Sequence, residues 1–199
     1  MKLITFLFFI FLSNTVIADD IFDFQIEGMS IGDSALSFFT KDQILNNSMN
    51  YYVDKKYTPV QNDGPLFFKN YDAVDFNFKT NDPEIIIQSL GGIIFFDRSN
   101  INACIQKMDQ ILFEMKKIFQ NNAVFHDKKK HFSTNDPTGG SYYIEAFFEL
   151  KSGSVFVTCY DYSVEDGGQD HLGVFLDTHE FTDWIRYEAY TNKKKELAF

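Results

Sequence analysis

NINACIQKMDQILFEMKKIFQ, residues 100–120, decides the fold of this chain. Its apolar side chains Ile101, Cys104, Ile105, Met108, Ile111, Leu112, Met115, Ile118 and Phe119 recur every three or four residues. That period predicts one amphipathic helix with an apolar stripe, and Lys107, Asp109, Glu114 and Lys116 fall largely off it. Such a stripe has to be covered, and the sequence on either side reads as strands. The fold class that follows is α+β.

Working toward the N-terminus, Glu84 to Asp97, Ala73 to Thr80 and Tyr51 to Tyr57 are rich in aromatic and β-branched residues. Asn81-Asp82-Pro83 and Asn62-Asp63-Gly64-Pro65 supply turns between them. Asp75 and Asn77 alternate with Val74, Phe76 and Phe78, the pattern of a half-buried antiparallel strand. Gly91-Gly92 predicts a bend or bulge. Ile21 to Ile26 reads as a further strand, followed by two short helices. The second of these opens with a capping box, Thr40 and Gln43.

Toward the C-terminus, Asn121 to Gly140 is polar and reads as a loop. Strands are predicted at Tyr142 to Lys151, Ser154 to Asp161 and Leu172 to Asp177, the first two joined by a hairpin turn at Lys151-Ser152-Gly153-Ser154. A last helix carries Phe181, Trp184, Ile185 and Ala189 on one stripe, with Asp177 and Glu180 at capping-box spacing. The expected architecture is an antiparallel β-meander sheet with helices packed on one face, in the order β-αα-βββ-α-βββ-α. It forms a single domain over 19–199, divisible into two halves at about 19–97 and 98–199.

Residues 1–18, MKLITFLFFIFLSNTVIA, join an early lysine to an apolar run too short for a membrane span and end on small residues. This predicts a signal peptide and a periplasmic or secreted protein with no integral membrane segment after cleavage. A retained N-terminal anchor is the alternative. Loss of Lys2 with the signal leaves 17 basic against 28 acidic side chains, a net charge of −11. A surface this acidic repels polyanions and argues against nucleic-acid binding. Cys104 and Cys159 are the only cysteines. In an exported chain they most simply form one disulfide, which would hold the central helix against a strand; two buried thiols are the alternative.

The segment Gly28-Met29-Ser30-Ile31-Gly32-Asp33-Ser34 and the helices after it resemble the opening of repeats in β-lactamase-inhibitor-like and small outer-membrane-assembly lipoproteins. The resemblance covers roughly 26–79 and implies a short helical pair followed by a three-stranded meander. This chain departs from that group in lacking both the Gly-x-Pro after the helices and the lipidated cysteine. Over most of its length, through Ile26 to Ser34, Cys159-Tyr160-Asp161-Tyr162 and Asp170-His171-Leu172, it also resembles a set of uncharacterised small exported proteins of marine bacteria. That second resemblance implies export and no activity.

The densest polar cluster is Asp161 to His171. Oxygens at Asp161, Ser163 and Glu165 alternate as at the start of a calcium loop, but Asp166 stands where a glycine is needed and Leu172 where the closing glutamate is needed. An acidic hairpin loop without metal is the expectation, with those three residues as the candidate ligands otherwise. No Gly-x-Ser-x-Gly elbow is present, and no histidine pair has zinc spacing. The carboxylate pairs Asp72 with Asp75 and Glu145 with Glu149 are explained by exposed strand positions as well as by acid–base chemistry. Tyr160, Tyr162, Asp170 and His171 are the candidate binding residues. The function expected is a non-catalytic binding module for an unknown protein or envelope component, without cofactor. The alternatives are a hydrolase-like enzyme and a calcium or small-ligand carrier using the Asp161 to His171 loop.

Overall fold

The computed structural model describes residues 20–63, 68–98, 100–120, 122–134 and 136–191. The proposed signal peptide and the Lys193-Lys194-Lys195 tail lie outside them. Seven strands form one antiparallel sheet: β1 Tyr57–Asp63, β2 Ala73–Lys79, β3 Ile87–Phe95, β4 Val124–Phe132, β5 Tyr142–Glu149, β6 Gly153–Asp161 and β7 His171–Thr178. Their spatial order is β1-β2-β3-β7-β6-β5-β4. Two meanders therefore share a sheet, and β7 returns to pair antiparallel with β3 in the centre, Gly91 opposite Phe175.

Helix α1 spans Lys41–Asn46, α2 Ile101–Phe119 and α3 His179–Tyr187. The Thr40 capping box is formed: its hydroxyl accepts from the Gln43 N–H at 3.2 Å while Gln43 Oε1 accepts from the Thr40 N–H at 2.8 Å. Helix α2 follows β3 and carries the chain across the sheet to the far edge, where β4 begins. Its residues Cys104, Met108, Leu112 and Phe119 are buried with Val74, Phe76, Leu90, Val157, Leu172, Val174 and Leu176 in the main core. Burying Met108 and Leu112 is worth about 1.5–3 kcal/mol each. Cys104 and Cys159 form a disulfide with Cα atoms 6.0 Å apart, which fastens α2 to β6.

Several sequence expectations are corrected. Ile21 to Ile26 is no strand; Ile21–Asp23 is one turn of 3-10 helix and Ile26 bridges only to Met29. The first sheet strand starts at Tyr57, where Tyr51 to Lys56 was expected to be extended, and it contains Pro59. Proline is tolerated here because its backbone faces away from β2, on the outer side of the strand, where among the described residues only the short bridge of Ser48 with Val60 is made. The polar stretch 121–140 contains β4, a full strand paired with β5. Its lysines sit on the sheet edge, where charge discourages pairing with other chains. Gly91 and Gly92 lie in regular register, and the β2–β3 irregularity is at Asn77/Phe78 instead.

The helices do not share one face. Strand alternation puts Phe76 and Phe78 in the α2 core and Asn77 on the opposite side. There Asn77 Oδ1 accepts from the Tyr52 hydroxyl at 3.1 Å, and Tyr52 meets Trp184 of α3 edge-on with centroids 4.8 Å apart. Tyr52, Tyr57, Phe181, Trp184 and Ala189 make this second, smaller core. One face of the sheet is thus sealed by α2 and the N-terminal segment. The other is covered at one end by α3.

Candidate functional site

The rest of that second face is open, and the register determines what stands on it. Reading across β3, β7, β6, β5 and β4, one row is Phe95, His171, Tyr160, Tyr143 and His131. The rings stack: His131 on Tyr143 at 4.9 Å, Tyr143 against Tyr160 at 5.6 Å and Tyr160 on His171 at 4.5 Å between centroids. Tyr162 continues the ladder beyond the strand, parallel to Tyr160 at 6.1 Å. A second row holds Gly91, Phe175, Phe156, Phe147 and His126. Here His126 lies on Phe147 at 4.1 Å and Phe147 lies 5.2 Å from Phe156.

Phe175 differs from the other rings. A Cβ placed on Gly91 would stand 2.4 Å from its ring, and one on Gly173 would stand 2.2 Å away. The ring therefore covers two glycines of adjacent strands and lies against the backbone, where any larger residue would lift it. It forms a half-buried aromatic floor.

Carboxylates surround this floor. Asp75 shares the Gly91 row, and its Cβ is 3.6 Å from the point a Gly91 Cβ would occupy. Asp177 is two residues beyond Phe175 on the same face of β7, so roughly 6–7 Å along the strand. Burial pushes both up to about 7; the charge of Asp63 adds to the shift at Asp75 and that of Glu145 at Asp177, while Ser89 hydrogen-bonds Asp177 and opposes it. Glu145 is also raised by burial, with Arg186 of α3 acting against the rise. A polar chain leads to Asp177: the Tyr52 hydroxyl donates to Asn77 at 3.1 Å, and Asn77 Nδ2 donates to Ser89 Oγ at 3.3 Å. Asn77 is 7 % and Ser89 3 % exposed. Oδ1 of Asp177 and Oδ1 of Asp75 are buried with no hydrogen-bond partner.

Of the binding residues expected from sequence, Tyr160, Tyr162 and His171 come together in the ladder. Burial raises Tyr160 well above the ordinary phenol range, with Tyr162 and Glu145 adding to it. Burial holds His171 below the usual imidazole value. The His171 Nδ1 lies 2.8 Å from the Gln169 carbonyl, so Nδ1–H is the donor and Nε2 is left as acceptor. Asp170 is separate in role: 2 % exposed, it accepts from the Tyr162 N–H at 2.9 Å and so fixes the loop.

The Asp161 to His171 loop bonds mainly to itself and its neighbours. Ser163 Oγ accepts from the Asp166 N–H at 3.1 Å, the Ser163 N–H donates to Ser141 Oγ at 2.9 Å, and Glu165 is exposed. Among the described residues no group of three or more His, Cys, Asp or Glu is disposed to hold a metal ion. Sequence reading missed Phe175, Asp177, Asn77 and Ser89. Asp177 was expected to cap α3, but Thr178 does so, accepting from the Phe181 N–H at 3.2 Å. The strand then ends one residue later, and Asp177 keeps its place on the open face.

No protein-family model, curated protein or solved structure matches the chain. Among the described residues no helix is long and apolar enough to cross a membrane.

Proposed function

We propose that this is an exported binding protein whose ligand or partner sits on the open sheet face over Phe175 and the Tyr143-Tyr160-His171 ladder. The observation that carries this reading is the asymmetry of the sheet. The α2 face is closed by a continuous apolar core, whereas the other presents half-buried rings and buried carboxylate oxygens without partners. Buried polar atoms without partners cost about 1–3 kcal/mol each, so their retention suits a site completed by something else. The disulfide supports an oxidising compartment, periplasmic or extracellular, and an envelope component is the partner class that fits it.

A hydrolase is the competing reading, favoured by one observation. Glu145 adds to the rise at Asp177 on the same face, and a carboxyl pushed up to about 7 suits a general acid. Turnover of a glycoside or ester by the protein, abolished in Asp177→Asn, would decide for it.

The binding reading is tested by photo-crosslinking in the producing cell. A benzophenone side chain is placed at Tyr143 on the ladder or at Phe113, which is 60 % exposed on α2. Reproducible adducts at 143 with none at 113 are expected. Adducts at 113 alone would overturn the assignment of the face.

A further inference from the structure

Resting on that reading, we infer that the group held over Phe175 is a small organic cation, an amine or guanidinium, placed between the Asp75 and Asp177 carboxylates. Three features of the geometry lead there. The first is the floor. Most rings on this face stand on edge in a ladder and offer their rims, but Phe175 lies down on Gly91 and Gly173. It turns its electron-rich face outward, and that face attracts a cation within about 6 Å of the ring centre.

The second is orientation. The chain Tyr52, Asn77, Ser89 holds Asp177 from one side by way of residues that are themselves more than nine-tenths buried. One oxygen is engaged by Ser89 and the other, Oδ1, is buried without a partner. Asp75 Oδ1, in the Gly91 row itself, is likewise buried without a partner. Two acceptors without donors, one in the row of the ring and one a row further along β7, are complementary to a group rich in N–H or carrying a diffuse positive charge.

The third is charge. The groups around Asp177 are Glu145 from β5, Tyr160 from β6 and Tyr52 from the segment before β1. Those around Asp75 are Asp63 from β1 and Tyr51. No cation contributes to the shift at either aspartate, and Arg186 of α3 acts on Glu145. A bound cation would relieve this repulsion; a neutral saccharide would leave it in place, and an anion would add to it. Because the carboxyls titrate near neutrality, the cation competes with protons, and affinity rises with pH through that range.

Calorimetric titration of the full mature protein tests the inference, with choline, arginine and spermidine as cations and methyl glucoside as the neutral probe. At least one cation is expected to bind at pH 8, at least about tenfold more weakly at pH 5.5, given the proton competition. Asp177→Asn and, separately, Asp75→Asn should each weaken it about tenfold or more. Asp127→Asn on the exposed β4 edge should leave it unchanged. Absence of cation binding, or cation binding indifferent to both carboxylate variants, overturns the proposal. Methyl glucoside binding that is lost in Phe175→Leu overturns the cation while keeping the face as the binding surface. Failure of every probe together with adducts at 113 alone overturns both.

Discussion

Replacing Asp177 with asparagine should make the protein more stable, increasingly so as pH rises from about 4 to 7. The side chain keeps its shape and an oxygen for Ser89 to donate to, but loses the ionisable group. In the wild type the carboxyl is held at about 7 against an ordinary 3.8 because burial penalises its charged form. The folded state therefore binds its proton more tightly than the unfolded chain. Below the unfolded value both states are protonated and the site costs nothing. Stability then falls as pH rises, at up to about 1.4 kcal/mol per unit, until the folded group has itself ionised near pH 7. Roughly three units give an upper bound of about 4 kcal/mol, and the remaining solvent contact of Asp177 reduces that to about 2 kcal/mol. Asp177→Asn should thus match the wild type near pH 4 and exceed it by about 2 kcal/mol at pH 8. Urea unfolding at several pH values measures this, followed by fluorescence of the sole tryptophan, Trp184, which is 1 % exposed. A variant destabilised equally at every pH would refute the reasoning, since it would make the carboxylate a structural partner rather than an uncompensated charge.

Three further substitutions probe other parts of the account. Gly173→Ala drives a Cβ into the Phe175 ring, and it should destabilise by about 1–3 kcal/mol while displacing the ring from its floor. Thermal unfolding and the Phe175 ring proton shifts report the two effects. Joint replacement of Cys104 and Cys159 by alanine opens a crosslink spanning 55 residues and should cost about 2–4 kcal/mol in urea unfolding; an unchanged midpoint would contradict it. Glu27→Ala removes a carboxylate that accepts from the Lys69, Asn70 and Tyr71 N–H groups at 2.9, 2.6 and 3.1 Å. It should release the entry to β2, seen as faster amide exchange at those three residues.

The sequence carried the fold where burial is one-sided. The stripe of α2, the Thr40 capping box and the hairpin at 151–154 are local signals, and each is formed as read. Strand β4 escaped notice because an edge strand bearing Lys128, Lys129 and Lys130 has no apolar alternation to betray it. The placement of α3 on the opposite face was hidden for a different reason. It depends on Asn77 pointing away from its neighbours and meeting Tyr52, a contact between residues 25 apart. The site was half legible: Tyr160, Tyr162 and His171 stand close in sequence to the turn that gathers them. Phe175 is an ordinary strand residue until its register opposite Gly91 is known. The glycines that suggested a bulge are instead the surface on which that ring and Tyr71 rest.

The central claim is that the open face holds the ligand, and amide and ring chemical-shift mapping of the labelled protein tests it most directly. On titration with the tightest-binding of the amines, perturbations are predicted at Asp75, Gly91, Tyr160, Gly173, Phe175 and Asp177. Saturable shifts confined to α2 or to the Asp161 to Asp170 loop would contradict it.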